Sequence, residues 1–435
     1  MTGGDGGYVL RVPGPVIEIA RTLQRAGFET WCVGGAVRDA LLGEVHLDWD
    51  LATAATPQQV RRLFARTIPV GIEFGTVGVL DREHRMHEVT TFRRDVQTDG
   101  RHAVVEFGAS LDEDLARRDF TINAIAYDPI DRRLRDPFDG RADLVRRVVR
   151  AVGDAEARMR EDRLRALRAI RFASRFDFSI EEATWRAIVD SAPFLTRLSP
   201  ERVKQELDKT MEQVVRPSRA FARWRESGAC AAVVPVLAQV SDEALRTVDA
   251  LPRPGLRGRP LRKLLRVAAL FSDVSGRDAE QAMRALRSSN QDVATVAALV
   301  DRWARYGPAL TLTIAAGAVP ADAELRRIAA GVGRLRVAAF VRLAAARWQA
   351  AQVGTPALVR ALHRRLLVIA FGEAIELADL AVDGDDLRRA GLPSGPTIGR
   401  MLHALLALVI EDPSLNTHDN LLRLAGERGD RAGEA

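Results

Sequence analysis

An alternation of charged and apolar residues at positions 47–51 constrains the fold of this chain more than any other feature. The segment reads Leu47-Asp48-Trp49-Asp50-Leu51. Successive side chains of an extended strand point to opposite faces, so Asp48 and Asp50 share one face and the apolar residues between and around them enter a core. Two adjacent carboxylates repel each other unless a cation lies between them. The pattern therefore predicts a half-buried strand that presents a carboxylate pair to a cation.

A glycine pair precedes this strand. Gly34 and Gly35 follow the apolar segment Thr30–Val33 and come before a predicted helix that continues to Leu42. Glycines at such a turn let the backbone approach a phosphate, and the helix N-terminus supplies free N–H donors. Alone, a glycine pair or a carboxylate pair is typical of a solvated turn. Together they indicate metal-assisted chemistry on a nucleotide, because Mg²⁺ takes few protein carboxylates and completes its coordination with water and substrate phosphates.

The composition is that of an ordinary globular protein. The chain has 435 residues, of which 47% are hydrophobic and 28% are charged. No apolar run approaches the length of a membrane span, and the N-terminus lacks the basic-then-apolar order of a signal peptide. Cys32 and Cys230 are the two cysteines, which argues against a disulfide framework. These features predict a cytoplasmic protein.

The charge is basic, with a formal net charge of +6. Such a balance is compatible with a polyanionic partner. Lysine occurs only at positions 204, 209 and 263, so nearly all of the positive charge is arginine. Because the chain is also rich in alanine, this arginine content indicates a GC-rich genome. Arginine clustering is therefore more informative than arginine abundance.

The patterning divides the chain into an α/β head and an all-helical remainder. Strands are predicted at Thr30–Val33, Leu47–Leu51, Thr76–Leu80 and His87–Phe92, and helices at Val16–Ala26 and Pro57–Ala65. From about residue 154 onward, helical periodicity interrupted by prolines replaces the strand pattern. The polar segment 94–108 is predicted to be a mobile loop. The fold class predicted is α+β.

Glu88 is a candidate third catalytic carboxylate. It lies in the predicted strand 87–92 and shares a face with Thr90 and Phe92. Two-metal sites commonly use several acidic groups to hold their cations. The alternative is that Glu88 is an ordinary exposed strand residue.

The segment Arg117-Arg118-Asp119 abuts an apolar stretch that contains Asn123. Arginine suits bidentate contact with phosphate, and Asp119 or Asn123 can bind ribose hydroxyls. In the alternative interpretation, Asp119 caps a helix and both arginines face water.

The segment 161–172 is predicted to be a helix with a reading face. Asp162, Arg165 and Arg168 recur every third residue and therefore lie on one side of such a helix. A carboxylate accepts from the exocyclic amine of cytosine or adenine, and a guanidinium donates to their ring acceptors. Uracil and guanine present the opposite polarity, so this pair would reject them. The alternative is a set of surface ion pairs of little energetic consequence.

Taken together, these segments resemble the class II tRNA nucleotidyltransferases, which include CCA-adding enzymes and bacterial poly(A) polymerases. The resemblance runs in order from about Cys32 to Leu207, through VGGAVRDALLG, DWDLAT, HEVTTFR, LARRDFTINAIAYD, DPFDGRADL, VGDAEARMREDRLRALRAIRFASRF and LSPERVKQEL. A C-terminal segment, GLPSGPTIGRMLHALLALVIEDPSLNTHDNLL, is similar to the tail of CCA-adding enzymes.

The resemblance implies a polymerase-beta-like nucleotidyltransferase head followed by a helical neck, body and tail. The implied ranges are 8–150 for the head, 151–215 for the neck, 216–350 for the body and 351–426 for the tail, with disorder at 427–435. It implies that Asp48 and Asp50 bind Mg²⁺ and that Gly35, Arg38 and Arg118 hold the triphosphate.

The resemblance also assigns the base-reading residues. Asp162 and Arg165 would select CTP and ATP, helped by Arg168 and Arg171, and segment 94–108 would assist the change from C to A addition. Glu201, Arg202 and Glu206 would brace the neck helices. One departure from the family pattern is DPFDG, which places Asp139 where a glycine is commoner.

The implied reaction is in-line attack of the tRNA 3′-hydroxyl on the α-phosphate of CTP or ATP, with release of pyrophosphate. The helical remainder would bind the acceptor arm of the tRNA through its phosphates. Three alternatives remain open at this stage: a poly(A) polymerase, an enzyme that adds only CC or only A, and a non-catalytic RNA-binding protein built on the same head.

Overall fold

The computed structural model describes residues 9–44, 48–98, 103–253, 260–393 and 395–433. The chain forms two compact units, the first comprising residues up to 210 together with 219–234, and the second comprising 211–218 together with 235–435. The first unit contains the strands and all residues that the sequence singles out as a site. The second unit is helical, so the predicted α+β class is confirmed.

A seven-stranded sheet forms the centre of the first unit, in the order β3-β4-β5-β2-β1-β8-β9. Its strands are β1 (Thr30–Val33), β2 (Asp50–Thr53), β3 (Thr67–Gly71), β4 (Thr76–Leu80), β5 (Met86–Thr91), β8 (Ala126–Asp128) and β9 (Arg133–Arg135). All neighbours pair antiparallel except β2 and β5, which run parallel. The strands β1 and β4 have the predicted bounds, whereas β2 begins at Asp50, later than predicted, and Leu47 lies outside the described residues.

A two-stranded hairpin occupies most of the segment that was predicted to be a mobile loop. Its strands β6 (Arg93–Thr98) and β7 (Ala103–Phe107) pair antiparallel. Arg94 on β6 donates to Glu106 on β7 at 2.8 Å and thereby links the two strands. The loop prediction is corrected because the β-branched pair Val104-Val105 favours a strand despite the polar surroundings.

The helices of the first 234 residues pack around the sheet and continue beyond it. They are α1 (Gly14–Arg25), α2 (Gly35–Leu41), α3 (Pro57–Leu63), α4 (Leu111–Ala116), α5 (Gly140–Arg146), α6 (Ala155–Glu161), α7 (Leu164–Phe176), α8 (Glu182–Ser191), α9 (Pro200–Gln213), α10 (Pro217–Glu226) and α11 (Ala229–Val233). Two short strands, β10 (Val148–Val149) after α5 and β11 (Ser179–Ile180) after α7, pair in parallel.

Close packing explains the conformation of the turn before α5. Asp139 has a left-handed backbone with φ of +57°, which Asp tolerates better than most residues. A Cβ on Gly140 would lie 2.2 Å from the carbonyl oxygen of Thr121, so only glycine fits there. The carboxylate of Asp136 accepts from the N–H groups of Gly140 and Arg141 at 2.7 and 2.9 Å and caps the helix. The turn is therefore fixed by close contacts even though one of its residues departs from the family's glycine.

The remaining helices form the second unit. They are α12 (Asp242–Ala250), α13 (Pro260–Leu270), α14 (Gly276–Ala285), α15 (Asn290–Ala315), α16 (Asp322–Val332), α17 (Val337–Ala351), α18 (Pro356–Gly372), α19 (Gly384–Arg389), α20 (Pro396–Glu411) and α21 (His418–Gly433). Within the described ranges, no helix is both long and apolar enough to span a membrane.

The C-terminal segment differs from its prediction. Disorder was predicted from residue 427, but α21 continues to Gly433. Arg423 and Glu427 form an ion pair four residues apart, a spacing that supports a helix at this position. The helix thus includes residues 427–433, for which the sequence predicts disorder.

Candidate active site

The glycine pair forms the turn between β1 and α2. Gly34 precedes α2 with φ of +77° and ψ of −138°, a conformation that side chains strongly disfavour. A Cβ at this position would lie 3.2 Å from Nη1 of Arg118 and 4.0 Å from Oδ2 of Asp50. The absence of a side chain thus lets an arginine, a carboxylate and the start of a helix converge on one point.

The carboxylate pair has the orientation that the alternation predicts. Asp48 and Asp50 are exposed, whereas the side chains of Trp49 and Leu51 are buried. Trp49 anchors the segment in the core, so the two carboxylates are directed to the opposite side. Because Mg²⁺ is commonly bound by one or two carboxylates plus substrate phosphates, this pair fits that ion.

Strand pairing places Glu88 beside the carboxylate pair. The parallel register aligns Leu51 of β2 with Val89 of β5, so Asp50 and Glu88, one residue earlier on each strand, are neighbours on the same face. Glu88 is half-buried. Among the described residues, no group of three or more His, Cys, Asp or Glu side chains is arranged to hold a metal ion. The catalytic role of Glu88 therefore remains a prediction.

Arg38 lies on α2 and is held by neighbours on several sides. Its Nε donates to Asp39 at 2.7 Å, and its Nη1 donates to the Oδ1 of Asn123 at 2.5 Å. Its guanidinium also lies 5.1 Å from the ring centre of Phe172 and 4.7 Å from that of Phe176. Burial lowers the pKa of Arg38 and Asp39 opposes that effect. The result is a fixed cation at the N-terminal end of the helix.

Asp119 connects the sheet domain to α7. Its Oδ2 accepts from Nε of Arg168 at 2.8 Å, and its Oδ1 accepts from Nδ2 of Asn123 at 2.9 Å. Burial alone would raise the pKa of Asp119, but the Arg168 charge and the Asn123 hydrogen bond outweigh it and hold the pKa at about 2. Asp119 also accepts from the N–H of Phe120. Its ionised carboxylate therefore holds several surrounding donors in place. The alternative interpretation, in which Asp119 caps a helix, does not hold, because its carboxylate is buried among these donors.

Twelve residues of this region line a cavity of about 400 Å³, and Asp48 and Glu88 are not among them. The residues around it come from the head, from the junction between α6 and α7 and from α7, and are Gly34, Gly35, Arg38, Asp50, Arg117, Arg118, Asp119, Asn123, Asp162, Arg165, Arg168 and Phe172. The Nε of Arg118 is buried and has no hydrogen-bond partner among the described residues. Because buried polar groups are nearly always paired, this donor fits an anionic ligand in the cavity.

Asp162 does not lie within a helix, so the prediction of one continuous helix over residues 161–172 is wrong at this position. It follows α6 with an extended backbone, φ of −150° and ψ of 104°, and its Oδ1 accepts from the N–H of Leu164 at 3.0 Å, near the start of α7. Its Oδ2 accepts from Nη2 of Arg202 on α9 at 2.7 Å. Asp162 and Arg165 therefore both line the cavity, but from a junction and a helix.

Arg165 is held by three hydrogen bonds. Its Nη1 donates to Glu161 at 2.8 Å and to the carbonyl of Arg158 at 3.2 Å, and its Nη2 donates to the carbonyl of Arg117 at 3.0 Å. The ion pair with Glu161 has the expected spacing of four residues. Because these bonds restrict rotation, Arg165 presents its remaining donors in a fixed direction.

Arg171 lies away from the cavity lining. It is 3% exposed, and its Nε donates to Glu206 of α9 at 2.6 Å. Burial lowers the pKa of Arg171, and Glu206 opposes that effect. Its position on α7 directs it toward α9, so it supports the helix that carries Arg165 and Arg168.

Sequence reasoning did not single out several residues of this site. One is Phe172, which lines the cavity and whose ring packs edge-on against Phe120 at 5.8 Å between ring centres. Another is Asp114, whose carboxylate binds both Arg117 and Arg118. Its position three and four residues before those arginines was the available signal.

Comparisons with known proteins identify the family of this chain. Residues 30–150 match the model described as Poly A polymerase head domain, and residues 177–240 match the model described as probable RNA and SrmB-binding site of polymerase A. The CCA-adding enzyme of Geobacillus kaustophilus is 35% identical over 424 residues, which cover 95% of this chain and 96% of that protein. The CCA-adding enzyme of Limosilactobacillus fermentum is 34% identical over 421 residues, with 95% and 96% covered.

Solved structures show the same similarity. The crystal structure of the Bacillus stearothermophilus CCA-adding enzyme in complex with CTP has a TM-score of 0.76 and 32% identity, and the match covers 97% of this chain and 100% of that one. The Thermotoga maritima CCA-adding enzyme complexed with tRNA shares the fold, with a TM-score of 0.65, 21% identity and 96% of each chain covered. The chain therefore belongs to the CCA-adding enzymes, a family of tRNA nucleotidyltransferases with a poly(A) polymerase head domain.

Proposed function

We propose that this protein adds CCA to the 3′ end of tRNA, using CTP and ATP without a nucleic-acid template. The observation that carries the proposal is the single cavity that combines two chemistries. One part of its lining contains Arg118 and the start of α2, which suit a triphosphate, and Asp50, which suits the Mg²⁺ that accompanies it. Another part contains Asp162 and Arg165, whose polarity matches the amine-bearing edges of cytosine and adenine.

At the triphosphate end, Gly34 and Gly35 would offer backbone to the phosphates, and Arg38 and Arg118 would supply charge. The unpaired Nε of Arg118 supports this assignment. Asp119 and Asn123 would bind the ribose hydroxyls, since both line the cavity next to Arg38. The arginines are held by carboxylates before any nucleotide binds, so little reorganisation is required.

Asp48 and Asp50 would hold Mg²⁺, in the two-metal arrangement with Glu88 as the additional carboxylate. Bound there, the metal ions would lower the pKa of the tRNA 3′-hydroxyl and neutralise the triphosphate. The hydroxyl would lose its proton to solvent and its oxygen would attack the α-phosphorus in line. The bond from that phosphorus to the oxygen shared with the β-phosphate would break, and pyrophosphate would leave with the electron pair. Positioning and electrostatics would supply most of the rate.

At the base end, Asp162 would accept from the exocyclic amine and Arg165 would donate to the ring acceptors. Arg168 would assist from the next turn of α7, whereas Arg171 would act indirectly by holding α7 against α9. Uracil would place its carbonyl oxygen against the Asp162 carboxylate, one acceptor against another, a mismatch that can cost a large factor in rate.

The neck, body and tail at 151–215, 216–350 and 351–426 would bind the tRNA acceptor arm through its phosphates, and the protein would act in the cytoplasm. The similarity to a structure solved with tRNA supports a role in tRNA binding.

The test is incorporation of labelled nucleotides into three substrates: tRNA lacking CCA, tRNA ending in C, and tRNA ending in CC. We expect two C residues and then one A, with no incorporation of U or G. Addition of A in long runs would identify a poly(A) polymerase instead. An enzyme that stops after CC, or that extends only the CC-ending tRNA, would identify a partial nucleotidyltransferase.

A further inference from the structure

A buried carboxylate on α4 binds two of the arginines that line the cavity. Asp114 is 1% exposed. Its Oδ1 accepts from Nε and Nη2 of Arg117 at 3.0 and 2.9 Å, and its Oδ2 accepts from Nη2 of Arg118 at 3.0 Å. Both carboxylate oxygens are thus engaged by guanidinium groups, which fixes the orientation of both side chains.

The carbonyl groups that follow Asp114, at the C-terminal end of the same helix, accept hydrogen bonds from two arginines of the neck. Arg165 donates to the carbonyl of Arg117 at 3.0 Å, and Arg158 donates to the carbonyl of Ala116 at 3.2 Å. Carbonyl groups at a helix C-terminus lack partners within the helix and carry partial negative charge, so they attract guanidinium groups. The last turn of α4 therefore contacts the base-reading arginine directly.

These contacts connect two parts of the cavity through one short element. The side chain of Arg118 reaches the turn at Gly34, where the triphosphate is proposed to bind, and its Nη2 is held by Asp114. The backbone of Arg117 supports Arg165, and the Arg117 side chain is held by the same carboxylate. A displacement at Asp114 would thus change the phosphate-binding cation and the support of the base-reading cation together.

We propose that Asp114 is a positioning residue that couples triphosphate binding to base selection. It acts through Arg118 and through Arg117, whose carbonyl group accepts the hydrogen bond from Arg165. The inference rests on the proposed function of this cavity as a nucleotide site. Asp114 does not line the cavity itself, so it acts through the two arginines rather than on the nucleotide.

A purely structural role for Asp114 makes a different prediction. Loss of a buried charge partner would then lower the thermal stability and reduce activity equally for every nucleotide. Positioning predicts in addition a weaker affinity for CTP and a lower ratio of CTP to UTP incorporation. The two readouts separate the explanations because a general loss of folded protein changes neither an affinity nor a ratio.

The experiment compares Asp114→Asn with Asp112→Asn in the full chain. Asp112 lies on the same helix but pairs with Arg135 at the surface, so its substitution makes the same chemical change while removing an ion pair away from the cavity. CTP affinity with Mg²⁺ is measured by calorimetry, and the CTP-to-UTP ratio is measured with tRNA lacking CCA. We expect Asp114→Asn to weaken CTP binding by roughly 10- to 100-fold and to lower the ratio, while Asp112→Asn matches the wild type.

A double-mutant cycle with Arg118→Met isolates the route of the effect. If Asp114 acts through Arg118, Asp114→Asn should weaken CTP binding much less in the Arg118→Met background than in the wild type. Additive effects, or equal CTP affinities of the Asp114→Asn and Asp112→Asn proteins, would overturn the inference. Should Asp114→Asn not fold, Asp114→Glu replaces it, because the longer side chain keeps the charge and displaces both arginines.

The binding measurement also separates this inference from the proposed function. A wild-type protein that binds CTP but transfers no nucleotide to tRNA would contradict the proposed function, and the calorimetric comparison would still decide the role of Asp114. A wild-type protein that adds CCA while Asp114→Asn retains normal affinity and selectivity would support the function and refute the inference.

Discussion

The guanidinium of Arg202 donates to the Oδ2 of Asp162 across 2.7 Å and links α9 to the junction between α6 and α7. Arg202→Met should remove the hydrogen bond to Oδ2 of Asp162 while the one from the N–H of Leu164 to Oδ1 stays, so the carboxylate would oppose the carbonyl of uracil in a less fixed direction. We expect the ratio of CTP to UTP incorporation to fall by about tenfold. The measurement is competitive incorporation into tRNA lacking CCA.

The matched control for Arg202 is Lys204→Met. Lys204 lies on the same helix and pairs with Asp208 four residues later, away from Asp162. It should leave the incorporation ratio unchanged. Equal ratios in the Arg202→Met protein and the wild type would show that Arg202 has no part in selection.

The carboxylate pair should be required for chemistry but not for tRNA binding. Asp48→Ala combined with Asp50→Ala removes both proposed metal ligands, and we expect nucleotide transfer to fall on the order of a thousandfold or more. The tRNA affinity, measured by filter binding, should be largely retained. Glu156→Ala combined with Glu182→Ala changes the net charge equally at two exposed positions and serves as the control. Normal activity in the Asp48 and Asp50 double variant would refute the site and favour a non-catalytic RNA-binding protein.

Asp119 should contribute stability that depends on pH. Its folded-state pKa of about 2 lies below the ordinary value of 3.8, so the ionised form is favoured by folding. The contribution is fully present above about pH 4 and disappears as the pH falls toward 2, with a size of roughly 2 kcal/mol. The difference in free energy of unfolding between the wild type and Asp119→Asn should therefore shrink over that interval, as measured by urea titration at each pH.

Asp131→Asn provides the reference for Asp119. This carboxylate is exposed, so its substitution should change the free energy of unfolding little at any pH in the series. A constant difference between the wild type and Asp119→Asn from pH 5 to pH 2 would contradict the assignment of Asp119 as an ionised, paired group.

Gly34 should tolerate no side chain. Gly34→Ala would force alanine into a backbone region that costs about 1–3 kcal/mol, and its Cβ would lie 3.2 Å from Nη1 of Arg118. We expect a lower melting temperature and a higher KM for CTP, because the substitution displaces a proposed phosphate ligand. Gly14→Ala is the control, since a Cβ at the start of α1 meets open space. An unchanged KM would separate Gly34 from the nucleotide site.

Arg266 should stabilise the second unit. It is 1% exposed and donates to the carbonyl groups of Leu251, Met211 and Val214 at 2.8, 2.7 and 2.9 Å. Arg266→Met would leave these buried acceptors unpaired and should lower the free energy of unfolding by about 3 kcal/mol or more. Arg262→Met removes a single exposed hydrogen bond from the same helix and should cost far less. Chemical denaturation measures both, and similar losses would contradict the role of Arg266.

The sequence predicted the local elements of the site better than their mutual arrangement. Period-two alternation was sufficient to orient Asp48 and Asp50, because burial of Trp49 and Leu51 fixes a strand face. Period-three spacing was misleading for Asp162, because the helix that it implied is interrupted at that residue. Arg171 lies on α7 one turn after Arg168, but its side chain is oriented toward Glu206 on α9, a partner 35 residues later. Contacts of that kind depend on tertiary packing and leave no local pattern.

The parallel pairing of β2 and β5 has a consequence for how this gene can diverge. A side chain's face reverses with every residue along a strand, so a one-residue insertion or deletion inside β5 would turn Glu88 into the core and bring Val89 out beside Asp50. Changes in length should therefore be excluded from the interior of these two strands. They should accumulate instead at the Asp81–Arg85 turn between β4 and β5, where a hydrogen-bonded connection at the surface separates the strands.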